Sequence, residues 1–122
     1  MICRPSQKEA EDYYHHAIIE NADWGAVDGM LANKSITPMT IPPDEYVKKR
    51  QYFASHAIGG YPFVGTPDRV ADELENISRA GVRGIALSFV NYLDELPYFC
   101  AEVLPRLVRL GARSGVPAPH VS

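Results

Sequence analysis

Residues 63–90, FVGTPDRVADELENISRAGVRGIALSFV, most constrain what this chain can fold into. They have the grammar of a strand, a tight turn, a helix, a short loop and a second strand. Thr66 suits a helix N-cap, Pro67 the first helical position, and Asp68 adds negative charge to the first turn. Val70, Leu74 and Ile77 fall on one face of that helix, and Gly81 suits its end, where a positive φ is needed. Residues 84–90, GIALSFV, are apolar almost throughout, as a strand buried on both faces would be. Two parallel strands joined by a helix need sheet neighbours, because an open apolar edge invites pairing with other chains. The chain has room for at most three short strands in 122 residues, whereas a closed (β/α)8 barrel takes roughly 250. The expectation is therefore an α/β fold, helix-rich, with two to three short parallel strands. Such a chain is completed by another chain, is a truncated product, or settles into a mostly helical fold that tolerates its edges.

The remaining segments supply helices. Residues 1–4 suit the end of a strand. Ser6 and Glu9 form a capping box, each side chain meeting a free backbone N–H at the helix start. Ala10, Tyr13, Tyr14, Ala17 and Ile18 then follow with helical spacing. Asp23 is placed to cap a second helix carrying Trp24, Val27, Met30 and Leu31. Residues 33–43, rich in proline and threonine, form a loop. A third helix is expected from Pro43 to about Ile58, acidic at its start and basic later, as the helix dipole favours, with Gly59 and Gly60 as its stop. Residues 61–64 form a short strand. The last helix covers about 92–111, with Leu96, Cys100, Val103, Leu104 and Leu107 as its buried stripe. Pro97 is expected in the first turn, where it is tolerated, while Pro105 predicts a kink or break. One domain over residues 1–112 and a flexible tail over 113–122 complete the layout.

Several function classes lack support. Twelve basic against fifteen acidic residues give a net charge of −3, which offers no clustered footprint for nucleic acid or an anionic membrane. No apolar run approaches the roughly 20 residues of a membrane span. Arg4, Lys8 and Glu9 interrupt any signal-peptide core, so a cytoplasmic protein is expected. Cys3 and Cys100 have no ligand spacing and are expected to be reduced, buried thiols. His15 and His16, about 100° apart on a helix, should not share a metal. His56 suits the end of the third helix, and Lys48 and Arg50 suit a solvated basic face rather than a phosphate site. Tyr13, Tyr14 and Trp24 suit core or interface positions.

Residues 64–107 resemble the C-terminal end of the luciferase-like, flavin-dependent monooxygenases. The family's last barrel units commonly run V-G-(T/S)-P-(E/D)-x-V-A-(D/E)-x-L, then A-G-(V/I), then a strand ending in L-S-F or similar, then E-V-L-P. Val64, Gly65, Thr66, Pro67, Asp68, Val70, Ala71 and Leu74 match the first part. Ala80, Gly81 and Val82 match the second, and residues 102–105 match the last. The upstream RPSQKEA is similar to the family segment that opens a helix after a barrel strand, and residues 21–58 match only loosely. The resemblance implies part of a (β/α)8 TIM barrel. The family oxidises small organic substrates with O2 and reduced flavin, usually FMN, often supplied by a flavin reductase. The resemblance leaves unmatched the N-terminal half of the barrel and much of its middle, segments that supply much of the flavin pocket in that family.

In such a barrel the site lies at the C-terminal ends of the strands. The resemblance then places Ser88, Asn91 and Tyr92 near the cofactor, and Tyr61 and Phe89 near substrate; it identifies no catalytic residue and no metal. Capping and packing explain the same residues. Thr66 caps a helix, Ser88 satisfies a strand end, Asn91 or Tyr92 starts the last helix, and Tyr61 follows a glycine stop. A second function follows from the unfilled edges. On that reading the chain is a non-catalytic structural or interaction module, completed by homo-oligomerisation or by a partner chain.

Overall fold

The computed structural model describes residues 1–56 and 60–115. Its contacts divide the chain into two compact units, one made of Met1–Ala10 with Phe63–Ser122, the other of Glu11–Pro62. The expected layout was one domain over 1–112. The division arises because the segment between the strands packs on itself. The first helix, α1 (Gln7–Tyr14), runs across the boundary.

In the first unit, β1 (Ile2–Cys3) pairs in parallel with β2 (Val64–Gly65), Ile2 opposite Val64 and Cys3 opposite Gly65. The Ile2 amide donates to the Phe63 carbonyl at 2.8 Å and the Arg4 amide to that of Gly65 at 3.0 Å. Each strand leads at once into a helix, so both β→α turns face the same way. After β1, the Ser6 and Glu9 side chains accept from each other's backbone N–H at 3.2 Å, the reciprocal box expected there. After β2 comes α4 (Pro67–Arg79), where Thr66 Oγ1 accepts from the Arg69 amide at 3.3 Å. Val70, Ala71 and Leu74 of α4 are buried against Cys3, Phe63, Phe99, Val103 and Leu107. Gly81 ends the helix at φ +97°, a conformation that costs glycine little.

Residues 84–90 depart from expectation. No strand forms there among the described residues, and the segment is not buried on both faces: Ile85 is 42% and Val90 48% exposed. Leu87 and Phe89 rest on the core, and the Ser88 carbonyl accepts from the Met1 amino group at 2.7 Å. A strand needs a ladder of N–H and C=O partners, and although β1 and β2 each keep an outer edge, no such ladder runs along residues 84–90 among the described residues. Among the described residues the chain is helix-rich with two short parallel strands, the lower of the two to three expected, and residues 84–90 do not supply a third.

The last helix is interrupted. It runs as α5 (Tyr92–Tyr98), a π-turn over Phe99–Val103, and α6 (Leu104–Arg109). The break falls where Pro105 predicts it, since proline has no N–H to close an α-helical bond to Ala101 and its ring crowds the preceding turn. Pro97 lies inside α5 rather than in its first turn. The π-turn also corrects the predicted stripe. One extra residue in the turn rotates everything upstream, so Glu95, Phe99, Val103 and Leu107 face inward while Leu96 and Cys100 are exposed. Arg106 ties the start of α4 to this helix, with Nε donating to Asp68 at 2.5 Å and Nη1 to Glu102 Oε2 at 3.0 Å.

The second unit holds α2 (Trp24–Asn33) and α3 (Pro43–His56), which pack together, with Val27 and Leu31 buried. Asp23 caps α2 through the Ala26 amide at 3.0 Å. Asp28 on α2 accepts from Arg50 Nε at 2.6 Å and Nη2 at 2.8 Å, and from the Tyr46 hydroxyl at 3.1 Å. The Arg50 guanidinium also lies 4.5 Å from the centre of the Trp24 ring. Arg50 is thus a structural clamp and not part of a solvated basic face. The expected end of α3 near Ile58, the Gly59 stop and most of the expected tail lie outside the described residues.

Candidate functional site

The mouth at the C-terminal end of β1 is a cavity of about 350 Å³ lined by Cys3, Arg4, Pro5, Asp94, Glu95 and Tyr98. It forms because β1 stops at Cys3 and proline follows at Pro5, while the first turn of α5 comes to lie beside it. Asn91 fixes that first turn. Its Oδ1 accepts from the Leu93 amide at 3.1 Å, its Nδ2 donates to Asp94 Oδ2 at 2.7 Å, and its own amide donates to Glu95 Oε2 at 2.8 Å.

Glu95 is the chemical centre of this mouth. It is 5% exposed, and its Oε1 lies 3.0 Å from Arg4 Nη1. Arg4 Nη1 is aimed instead at the Cys3 carbonyl, 2.9 Å away, so Oε1 accepts no aligned hydrogen bond among the described residues. A buried carboxylate oxygen with spare capacity is uncommon and is the natural acceptor for a donor on a bound group. Tyr98 offers a phenol whose pKa is raised, chiefly by burial and then by nearby groups including Cys3, so it stays a hydrogen-bond donor at neutral pH. Burial likewise pushes the Cys3 thiol up to about 11, with Arg4 opposing, which keeps it protonated and not nucleophilic. Together these groups can hold a small polar ligand that presents a donor to Glu95 and an acceptor to Tyr98.

The residues expected to form the site are placed as follows. Ser88 is exposed, and its backbone carbonyl is taken by Met1. Asn91 is exposed and its amide serves the α5 cap. Tyr92 is 52% exposed, with its ring edge-on to Phe89 at 5.4 Å. Phe89 is half-buried, and its ring meets Phe99 at 5.7 Å. Phe89, Asn91 and Tyr92 thus form one continuous patch with the start of α5, but none of them lines the cavity. Tyr61 is 66% exposed and belongs to the other unit. Thr66 acts as a helix cap.

These residues do not by themselves fit FMN. The cavity sets two carboxylates, Asp94 and Glu95, against one guanidinium, Arg4, whose Nη1 is already held by the Cys3 carbonyl and Glu95, a net negative lining that disfavours a phosphate, and the Asn91 amide is committed to its own helix. The Phe89 ring already packs edge-on against two other rings.

The residues that sequence reasoning missed are Arg4, Glu95 and Tyr98. A signal was present for Glu95: it shares a spacing of four with Phe99 and Val103, so it is a charged residue on an apolar stripe, and such residues are rarely buried unless paired. His15 and His16 lie in a π-turn (His15–Glu20), and both Nδ1 atoms approach the Glu20 carboxylate, at 3.2 and 3.0 Å. Among the described residues no group of three His, Cys, Asp or Glu side chains could hold a metal ion. None of the described helices is long and apolar enough to cross a membrane. No protein-family model, curated protein or solved structure matches the chain.

Proposed function

We propose that this chain is the C-terminal part of a luciferase-like, FMN-dependent monooxygenase that oxidises a small organic substrate with O2. The observation that carries the reading is the pair of parallel strands, each passing directly into a capped helix, with V-G-T-P at the second turn. A β-strand followed by a helix, repeated in parallel, is the building unit of an α/β barrel, and the polar mouth at the end of β1 lies where such barrels keep their chemistry. Because the residues on this chain do not fit FMN alone, its role in the enzyme is to close the barrel and to supply one wall of the mouth. Bound flavin would supply the oxygen chemistry. Ser88, Asn91 and Tyr92 stand as its neighbours and Tyr61 and Phe89 as substrate contacts in the completed barrel. A flavin reductase is the expected source of reduced cofactor.

The test is to isolate the protein from its native source, measure its intact mass, and assay FMN retention by dialysis and O2 uptake with reduced FMN. The reading expects a longer protein that retains FMN and consumes O2 faster than free reduced flavin does. A protein of this chain's mass that does neither removes it.

A second reading is favoured by one observation. Val82, Ile85, Val90 and Leu93, in and around the segment expected to be a buried strand, are 46%, 42%, 48% and 86% exposed. Apolar exposure of that extent in one stretch marks an interaction surface, so the alternative is a non-catalytic module completed by copies of itself.

A further inference from the structure

We infer that residues 85–89 of two copies of this chain pair as antiparallel strands about a twofold axis at Leu87, giving a closed dimer. The contact rests on the second reading above, names the surface it uses, and does not involve flavin.

Residues 82–89 contain no helix, turn or bend, and a bend at Val90 ends the run. Burial along it alternates as in a strand: Leu87 and Phe89 rest on the core, while Ala86, Ser88 and Val90 are exposed. Its backbone is nonetheless unpaired. No amide from Arg83 to Phe89 donates a hydrogen bond among the described residues, and of their carbonyls only that of Ser88 accepts one, from the Met1 amino group at 2.7 Å. In an extended chain the backbone polar groups of successive residues point to opposite edges. The Ser88 carbonyl points to Met1, at the start of β1, so the N–H and C=O groups of Ile85, Leu87 and Phe89 point to the other edge.

A run of unpaired donors and acceptors is completed by another strand, and this segment suits its own copy. Residues 84–93, GIALSFVNYL, hold no charge and no proline, so identical segments meet without repulsion and without a missing N–H. With the two Leu87 residues opposed, Ile85 falls opposite the second copy's Phe89, and Phe89 opposite its Ile85. These are the residues whose polar groups face the unpaired edge, so each opposed pair exchanges both hydrogen bonds. A β-branched side chain against an aromatic ring is a favourable cross-strand pair. Ala86 and Ser88 fall opposite each other on the exposed face, where their small side chains do not clash. Two strands alone are marginal in water, but here each is backed by its own core through Leu87 and Phe89. A small ligand would satisfy a few of these groups; a strand satisfies every one on that edge. Because both copies use the same patch, the contact closes at two copies.

The experiment is sedimentation velocity on the full chain over a range of concentrations, followed by disulfide trapping in a Cys100→Ser background. Ala86→Cys and Ser88→Cys are made separately; both positions are exposed, and circular dichroism checks their folding. Residues opposed without hydrogen bonds lie about 4.5 Å apart between Cα atoms, within reach of a disulfide. Like positions, 86 with 86 or 88 with 88, lie diagonally at roughly 8 Å, out of reach. The wild type is expected to form a dimer and nothing larger. A mixture of the two cysteine variants should crosslink at least about tenfold faster than either alone. Ala86→Glu together with Ser88→Glu sets like charges directly opposite each other and should weaken the dimer by at least about tenfold. A wild type that stays monomeric up to its solubility limit overturns the inference and the module reading together. A wild type that associates while the mixture crosslinks no faster than either variant alone overturns this contact and leaves self-association standing through another surface.

Discussion

Glu95 has one carboxylate oxygen bonded to the Asn91 amide and the other 3.0 Å from Arg4, at 5% exposure. Removing one member of a buried ion pair strands the other, a loss of several kcal/mol when both are fully enclosed. The Arg4 side chain keeps about a quarter of its exposure and a bond to the Cys3 carbonyl, so Glu95→Ala should destabilise the first unit by about 2 kcal/mol, measured by urea unfolding. Glu95→Gln keeps an acceptor for the Asn91 amide and should lose roughly half as much. Equal losses for the two would mean that the charge, not the cap, carries the effect. In the second unit Asp28 makes a pH prediction. The Arg50 hydrogen bonds hold its carboxyl below its ordinary value of 3.8, against the opposing pull of desolvation, with Tyr46 assisting. A carboxylate with a depressed folded pKa contributes stability that is complete above the unfolded value and is lost as pH falls through the folded one. Trp24, the chain's sole tryptophan, lies under Arg50, so its emission should change in acid with a midpoint below 3.8. Asp28→Asn should abolish that step and show the altered emission already at neutral pH.

The helix caps were legible in the sequence because their chemistry is local. Ser6 with Glu9, Asp23, and Thr66 with Pro67 each act within three residues, and each is found bonded as its spacing required. Thr66→Ala should therefore cost about 1 kcal/mol in unfolding free energy, and Gly81→Ala a similar amount because alanine resists the φ of +97° there. A Thr66→Ser variant, which keeps the acceptor, should restore most of the first loss. What the sequence did not disclose depends on partners distant along the chain. Residues 84–90 have strand composition, but a ladder neighbour, not composition, makes a strand. The inward face of α5 was misread by one residue because a π-turn has no signature of its own beyond Pro105, and the shift moved Glu95 inward and Leu96 outward. The mouth was hidden for the same reason: Arg4 and Glu95 are 91 positions apart, and only the fold brings them to 3.0 Å.

At the scale of the whole molecule, the two units carry separate interiors. The first has a contiguous apolar cluster from Cys3 to Leu107, while the second buries Val27 and Leu31 and leans on the Asp28–Arg50–Trp24 arrangement at its surface. A segment the size of Glu11–Pro62 buries a smaller share of its unfolded surface than a larger domain does, roughly 60%, and is marginal by itself. Unfolding should therefore not be two-state. Trp24 emission reports the second unit. Cys3, buried and with its thiol pushed up to about 11, reports the first by its resistance to disulfide reagents. Cys100 is exposed and would react at once, so the measurement uses a Cys100→Ser background. In rising urea the Trp24 transition should come first, with Cys3 still protected at its midpoint and labelled only at higher denaturant. Coincident curves would mean that α1, which runs across the boundary, couples the units strongly enough to unfold them as one. The Asp28→Asn variant separates these outcomes further. Independent units require it to lower the Trp24 midpoint and leave the Cys3 midpoint in place, while a single cooperative body would move both by the same amount.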